Sequence, residues 1–98
     1  MMMAAAMTTG TKIAELLGLT ENELCQETLL SLLYEKKREV LQQRLNILAR
    51  YGAGSLEDLE SKIAEGAMAE HPAWEDMIVV ENLSARVEEL DDAISTLE

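Results

Sequence analysis

The chain has no phenylalanine, one tryptophan and two tyrosines among its 98 residues. A hydrophobic core must therefore be built from Leu, Ile, Val, Ala and Met, which suits the packing of helices better than that of a β-sandwich. One proline and five glycines leave few positions for turns. Together these scarcities predict one small all-α domain made from a few long helices.

Other absences limit the chemistry and the setting. Cys25 is the only cysteine, so no internal disulfide can form, and a reducing cytoplasm is the expected compartment. No apolar run is long enough to span a bilayer, and the opening "MMMAAAM" lacks the basic and apolar regions of a signal peptide. His71 is the only histidine and lies among scattered acids, without metal-ligand spacing. We therefore expect no enzyme, no cofactor, no bound metal and no membrane contact.

Basic residues are scarce in the second half of the chain. Residues 1–51 carry six acidic and six basic side chains, whereas residues 52–98 carry thirteen acidic and two basic ones. An acidic half repels phosphate backbones and anionic membranes, and it attracts basic protein surfaces. The acidic cluster at residues 88–92 is interpreted either as a solvated face or as a contact for a basic partner.

Capping signals predict a single helical domain over residues 11–98, after a disordered tail at residues 1–10. Thr20 with Glu23 forms a capping box, and Ser55 is a good N-cap residue. Gly18, Gly52 and Gly66 are placed to end the helices that precede them. The predicted helices span about residues 11–17, 20–51, 55–65 and 72–97, which gives a long helical hairpin with a short corner helix.

The first and second helices each carry an apolar face near the point where they meet. Ile13, Leu16 and Leu17 lie on the first helix, and Cys25, Leu29 and Leu32 share a face of the second. The two faces are predicted to pack together as a small N-terminal core.

The last helix carries a regular apolar pattern in "VVENLSARVEELDDAISTL", residues 79–97. Its apolar residues recur at alternating spacings of three and four, and we call them the seam: Val80, Leu83, Val87, Leu90, Ile94 and Leu97. β-branched residues at the a positions with leucine at the d positions are typical of parallel two-stranded coiled coils. Since most helical stability comes from packing of the apolar face, another surface must cover the seam.

Three surfaces are candidates for covering the seam: residues 20–51 of the same chain, a second copy of the chain, or a helix of a different protein. Folding back brings basic residues against the acidic helix, whereas self-pairing fits the a and d chemistry. We predict a combination, a hairpin that packs into a coiled-coil-like homo-oligomer, either a dimer or a tetramer. Trp74 and Glu75 are predicted as a further contact for a partner, although Trp74 would equally close the end of the hairpin core.

An alternative function is suggested by "KIAELLGLTENEL", residues 12–24, in which a short helix, a glycine turn and a second helix follow each other as in a helix-turn-helix. On this hypothesis the protein is a dimeric DNA-binding regulator that uses residues 11–36, with Lys36, Lys37 and Arg38 contacting nucleic acid. The second helix opens with glutamates, however, which would face phosphates unfavourably. DNA binding therefore ranks behind protein binding.

Two adjoining stretches carry a family likeness: "RYGAGSLEDLESKIAEG", residues 50–66, and "EHPAWEDMIVVENL", residues 70–83. The chain resembles a set of small uncharacterised prokaryotic proteins, which are associated with the antitoxin side of toxin–antitoxin operons, and the resemblance covers roughly residues 11–97. It implies a small acidic oligomer that binds and silences a more basic partner, such as a toxin. The shared motifs are capping and turn signals, so no functional residue is carried over from them.

Overall fold

A computed structural model of the protein describes the backbone of residues 2–66 and 70–98 and the side chains of residues 9–66 and 72–98. The described residues form four helices and no strand. The helices are α1 (Met2–Leu17), α2 (Glu21–Arg50), α3 (Leu56–Ala64) and α4 (Glu70–Leu97). The predicted all-α hairpin, with two long helices and a short corner helix, is confirmed.

Side chains and glycines fix most helix ends. The Thr20 hydroxyl accepts a hydrogen bond from the Glu23 N–H at 3.1 Å, and the Glu23 carboxylate accepts one from the Thr20 N–H at 3.1 Å, which completes the capping box of α2. Ser55 caps α3 by accepting from the Asp58 N–H at 3.0 Å. The residues that follow α1, α2 and α3 include glycines with positive φ, which a residue with a Cβ adopts only at a cost: Gly18, Gly52 and Gly66.

Two helix starts differ from the prediction. The sequence predicts a disordered tail over residues 1–10, whereas α1 already begins at Met2. Alanine and methionine are strong helix formers, and Gly10 within the helix costs only about 1 kcal/mol relative to alanine. In addition, α4 begins at Glu70, so Pro72 lies within its first turn and not at its first position. The first N–H groups of a helix have no intrahelical acceptor, so proline sacrifices no hydrogen bond there.

The hairpin is formed by α2 and α4, which run antiparallel. Cross-helix contacts join Gln26 to Leu97, Lys37 to Asp91 and Tyr51 to Asp76, so residue numbers rise on one helix as they fall on the other. The main core lies at the corner, where α3 closes the hairpin. It consists of the following buried residues: Ile47, Leu48, Ala53, Leu59, Ile63, Ala73, Met77 and Val80.

The molecule is elongated. Its principal extents are 60 × 26 × 19 Å and its radius of gyration is 20.1 Å, against about 13 Å for a compact domain of this length. α4 ends beside the segment of α2 between Gln26 and Tyr34, which contact Leu97 and Glu98, so the start of α2 and the helix α1 extend past the end of the hairpin. A rod of this shape leaves a large share of its apolar side chains accessible to other molecules.

Candidate interaction surfaces

The seam of α4 faces α2 within the same chain. Val80, Leu90 and Ile94 are 0%, 6% and 5% exposed, and the other seam residues are half-buried: Leu83, Val87 and Leu97. Of the three candidate covers, the structure shows the intrachain one. The hairpin therefore covers most of the surface of these six side chains, and pairing of the whole seam with a second copy would require the hairpin to open.

Polar contacts flank the seam and fix the register of the hairpin. The ammonium of Lys37 lies 2.7 Å from Asp91, and the guanidinium of Arg44 donates to the Ser84 hydroxyl at 3.3 Å. Lys37 and Arg44 are half-buried on α2, and each reaches across to α4 at the edge of the apolar contact.

Two tyrosine hydroxyls join α2 to α4 near the two ends of the hairpin. Tyr34 donates to the Glu98 carboxylate and Tyr51 donates to the Asp76 carboxylate. In each case the hydrogen bond, helped by partial desolvation and by the negative charge of its partner, raises the tyrosine pKa above its ordinary value of 10.0. Both bonds therefore stabilise the hairpin while the phenol is neutral, and they are lost as the pH rises through the raised pKa values.

The face of α4 opposite the seam carries a second regular pattern, which we call the outer strip. Its members are Trp74, Ile78, Glu81, Ala85, Glu88 and Asp92, again at alternating spacings of four and three, so all six share one face of the helix. Trp74 is 54% exposed and Ile78 is 42% exposed. The other four members are also exposed. An accessible apolar pair thus begins the strip, and carboxylates continue it.

The three carboxylates of the outer strip are not neutralised within the chain. Among the residues that the structure describes, Glu81, Glu88 and Asp92 take part in no ion pair. Glu88 and Asp92 are one helical turn apart, a spacing at which like charges repel by a few tenths of a kcal/mol. A positively charged surface placed against the strip would relieve this repulsion.

Trp74 and Glu75, predicted together as a contact for a partner, lie on different faces of α4. Both residues are exposed, but consecutive helical positions point in directions about 100° apart, so Glu75 lies off the outer strip. Glu81 shares the helix face of Trp74 and Ile78, although the sequence prediction did not include it. The signal was present, since the spacing of four and three that identified the seam also runs from Trp74 to Asp92.

The predicted nucleic-acid contacts are largely occupied by carboxylates of the same chain. Lys36 lies 3.5 Å from Glu39, and Lys37 lies 2.7 Å from Asp91. Arg38 is exposed and joins neither pair. Phosphate binding draws its free energy from cations that release counterions, and two of these three cations already have acidic neighbours.

A further group of accessible apolar side chains lies where α1 and α2 extend past the hairpin. We call it the N-terminal apolar surface: Ile13, Leu16, Leu17, Leu29 and Leu32, exposed by 43%, 85%, 58%, 45% and 60%, with Cys25 on the same face of α2. The N-terminal core predicted from these residues does not form in the single chain. Ala14, 2% exposed, is the described residue of α1 that is buried, because no third helix covers this end.

The described residues show few other features with chemical meaning. They contain no cluster of three His, Cys, Asp or Glu side chains placed to hold a metal ion. None of the helices in the described part of the chain is both long and apolar enough to cross a bilayer. The side chain of His71 lies outside the described residues.

Over residues 2–98 the sequence matches the model of a family described as the uncharacterized protein MJ0235 family. The chain belongs to this family. No curated protein and no solved structure matches it. The predicted likeness to an uncharacterised family is thereby confirmed, whereas the link to antitoxins stays a prediction.

Proposed function

We propose that this protein is a non-enzymatic interaction module that self-associates and binds a more basic partner protein through the outer strip of α4. The observation that carries the proposal is the presence of exposed Trp74 and Ile78 on the same helix face as Glu81, Glu88 and Asp92, none of which is in an ion pair within the described chain. Tryptophan is enriched at binding hot spots. The carboxylates would add orientation and speed of association.

The chemistry of the partner follows from that face. It should present apolar side chains to Trp74 and Ile78 and lysine or arginine side chains further along the strip. The chain's formal charge of −11 would steer such a partner at a distance. Because exposed charges are screened over about 8 Å at physiological salt, binding should weaken as ionic strength rises.

The proposal is tested by quantitative capture of proteins from the source cells on the tagged chain, compared between variants. Glu88→Lys should lose a basic protein that the wild-type chain retains. Glu60→Lys changes the charge equally on α3, where Glu60 is also exposed, and should retain it. Circular dichroism of both variants would check that the helices persist.

A second pair of variants tests the apolar anchor. Ile78 and Val79 are both 42% exposed, but Ile78 lies on the outer strip and Val79 does not. Ile78→Ser should therefore reduce capture of the basic protein, and Val79→Ser should leave it unchanged. Equal capture by all four variants, or a captured set without basic proteins, would overturn the proposal.

The finer hypothesis, suggested by the family likeness, is that this chain acts as an antitoxin and silences a basic toxin. Expression of the captured basic protein alone should then stop growth. Co-expression of the wild-type chain should restore growth, whereas the Glu88→Lys variant should not. If the basic protein is harmless, the binding module remains and the antitoxin role is excluded for that partner.

A further inference from the structure

The N-terminal apolar surface is exposed at the end of the rod opposite the corner. Its five aliphatic side chains are between 43% and 85% exposed. They lie on two helices, α1 and α2, which are joined by a turn that begins at Gly18. The backbone φ of Gly18 is +72°. Exposed apolar patches larger than a few hundred Å² commonly mark interaction sites.

We propose that this surface is the interface with a second copy of the same chain. This interface rests on the self-association in the proposed function. It places the contact between copies at the N-terminal apolar surface and not at the seam, because the hairpin covers the seam. In the resulting dimer, α1 and the first turns of α2 from each copy supply the core that one copy lacks.

The accessible area is of the right size for such a contact. The exposed fractions of the five side chains correspond to roughly 500 Å² per chain, or about 1,000 Å² for two copies, which is close to the lower bound for a specific protein interface. Flanking polar residues would add to this area. The outer strip has two large exposed apolar side chains, Trp74 and Ile78, and therefore a smaller apolar area.

The low net charge of the N-terminal apolar surface favours a second copy of the chain as its partner. A two-fold contact places each surface against an identical one, so a surface with a strong net charge repels itself. The outer strip, with three carboxylates and no basic residue, would do so. Beside the N-terminal apolar surface, Lys36 pairs with Glu39 at 3.5 Å and the Thr11 hydroxyl donates to Glu21. Lys36 thus offsets part of the charge of Glu21 and Glu39 on this face of α2, so this face carries less net charge than the outer strip.

The two surfaces are also separate along the rod. The N-terminal apolar surface lies around and beyond the end of α4, which contacts Gln26 and Tyr34, whereas Trp74 and Ile78 lie near the corner. A dimer formed at the N-terminal end therefore leaves both outer strips free, and the assembly would present two binding faces for the basic partner.

Light scattering of the full chain under reducing conditions tests the proposal. The wild-type protein should have at least twice the mass of the 10.9 kDa chain at high concentration and dissociate on dilution. Leu32→Glu should give the single-chain mass at all concentrations. Its helical content should be unchanged, because Leu32 is 60% exposed in the single chain and its replacement leaves the hairpin core intact.

Leu45→Glu is the matched control. Leu45 is 58% exposed on the same helix but faces a different direction, so this variant should keep the wild-type mass. Cys25 supplies an independent readout, since its thiol shares the face of Leu29 and Leu32. Its alkylation should be several-fold slower in the wild-type oligomer than in the Leu32→Glu variant, and equally slow in Leu45→Glu.

A single-chain mass for the wild type, or an oligomer that survives Leu32→Glu and dissociates with Leu45→Glu, would overturn the proposal. Capture of a basic protein is scored separately. If capture depends on Glu88 while the wild type is a monomer, the partner-binding function stands and the interface fails. If the dimer depends on Leu32 while capture is insensitive to Glu88, the interface stands and the partner-binding function fails.

Discussion

The two ends of this rod are built from similar aliphatic residues but differ in how they are covered. At the corner, α3 packs where α2 and α4 meet, and Leu59, Ala73 and Val80 are 0% exposed. At the other end α1 packs mainly against α2, and Leu16 is 85% exposed. Burial in this chain therefore depends more on how many helices converge at a point than on how hydrophobic the segment is.

The strongest test of this comparison truncates one leucine at each end. Leu59→Ala should lower the free energy of unfolding by about 2–5 kcal/mol, because it leaves a cavity between α3 and α4. Leu16→Ala should change it by less than about 0.5 kcal/mol in the monomeric state. Urea denaturation at low protein concentration measures both, and equal losses would mean that the N-terminal end is packed after all.

Glycines with similar backbone angles allow a second test. Gly52 has φ of +62°, and a Cβ there would lie 3.7 Å from the Lys62 ammonium, so space is available and the conformation is the obstacle. Gly52→Ala should cost about 1–2 kcal/mol. Gly18, with φ of +72°, carries the same strain at the open end. Gly18→Ala should affect global unfolding less, since α1 can separate without disrupting the corner core.

Gly54 is the control for this pair, because its φ is not in the left-handed region and a Cβ there meets nothing within 4 Å. Gly54→Ala should be neutral or slightly stabilising in the same denaturation experiment. A cost at Gly54 equal to that at Gly52 would show that the loop, and not its left-handed residue, is sensitive.

The capping box tests whether the start of α2 is independent of the corner. Thr20→Ala removes the acceptor of the Glu23 N–H and should cost about 1 kcal/mol locally. Amide hydrogen exchange should accelerate over the first turns of α2 and remain slow at Leu59 and Val80. Faster exchange at the corner as well would mean that the two ends unfold as one unit.

The smallest expected effect is a change in stability at acid pH that depends on Asp58. A hydrogen bond from the Gly54 N–H at 2.9 Å lowers the pKa of Asp58 below its ordinary 3.8, and nearby Lys62 also lowers it, while desolvation acts in the opposite direction. Because the folded pKa is the lower one, the bond stabilises the corner above pH 3.8 and is lost as the pH falls through the folded value.

Asp58→Asn should therefore be less stable than the wild type at pH 7, and the difference should shrink near pH 3. Glu60→Gln, on the exposed side of α3, is the control and should show no such convergence. Urea midpoints at the two pH values would measure both. A difference that is constant between pH 7 and pH 3 would contradict the role assigned to the Asp58 carboxylate.

Local signals were sufficient for much of the fold. Thr20, Ser55 and the glycines Gly18, Gly52 and Gly66 predict helix ends because caps act through hydrogen bonds and backbone angles within a few residues. The early start of α1 was missed because residues 2–9 carry no capping signal, and their preference for helix is a propensity summed over several weak contributions.

The candidate surfaces were harder to predict for a physical reason. A repeated spacing of three and four shows which residues of α4 share a face, but it does not identify the surface that covers them. The seam and the outer strip have the same spacing, and one is buried while the other is exposed. Deciding between them depends on Lys37, Arg44 and Tyr51 reaching α4, contacts between residues far apart in sequence.

The placement of the three larger aromatic residues has a consequence for spectroscopy. Trp74, the sole indole of the chain, belongs to the outer strip, so its fluorescence should shift when that strip becomes shielded from water. Tyr34 and Tyr51 donate hydrogen bonds to the carboxylates of Glu98 and Asp76. Their ultraviolet absorbance at alkaline pH should therefore report the separation of α2 from α4. One unlabelled sample can thus distinguish occupation of a surface from the opening of the rod.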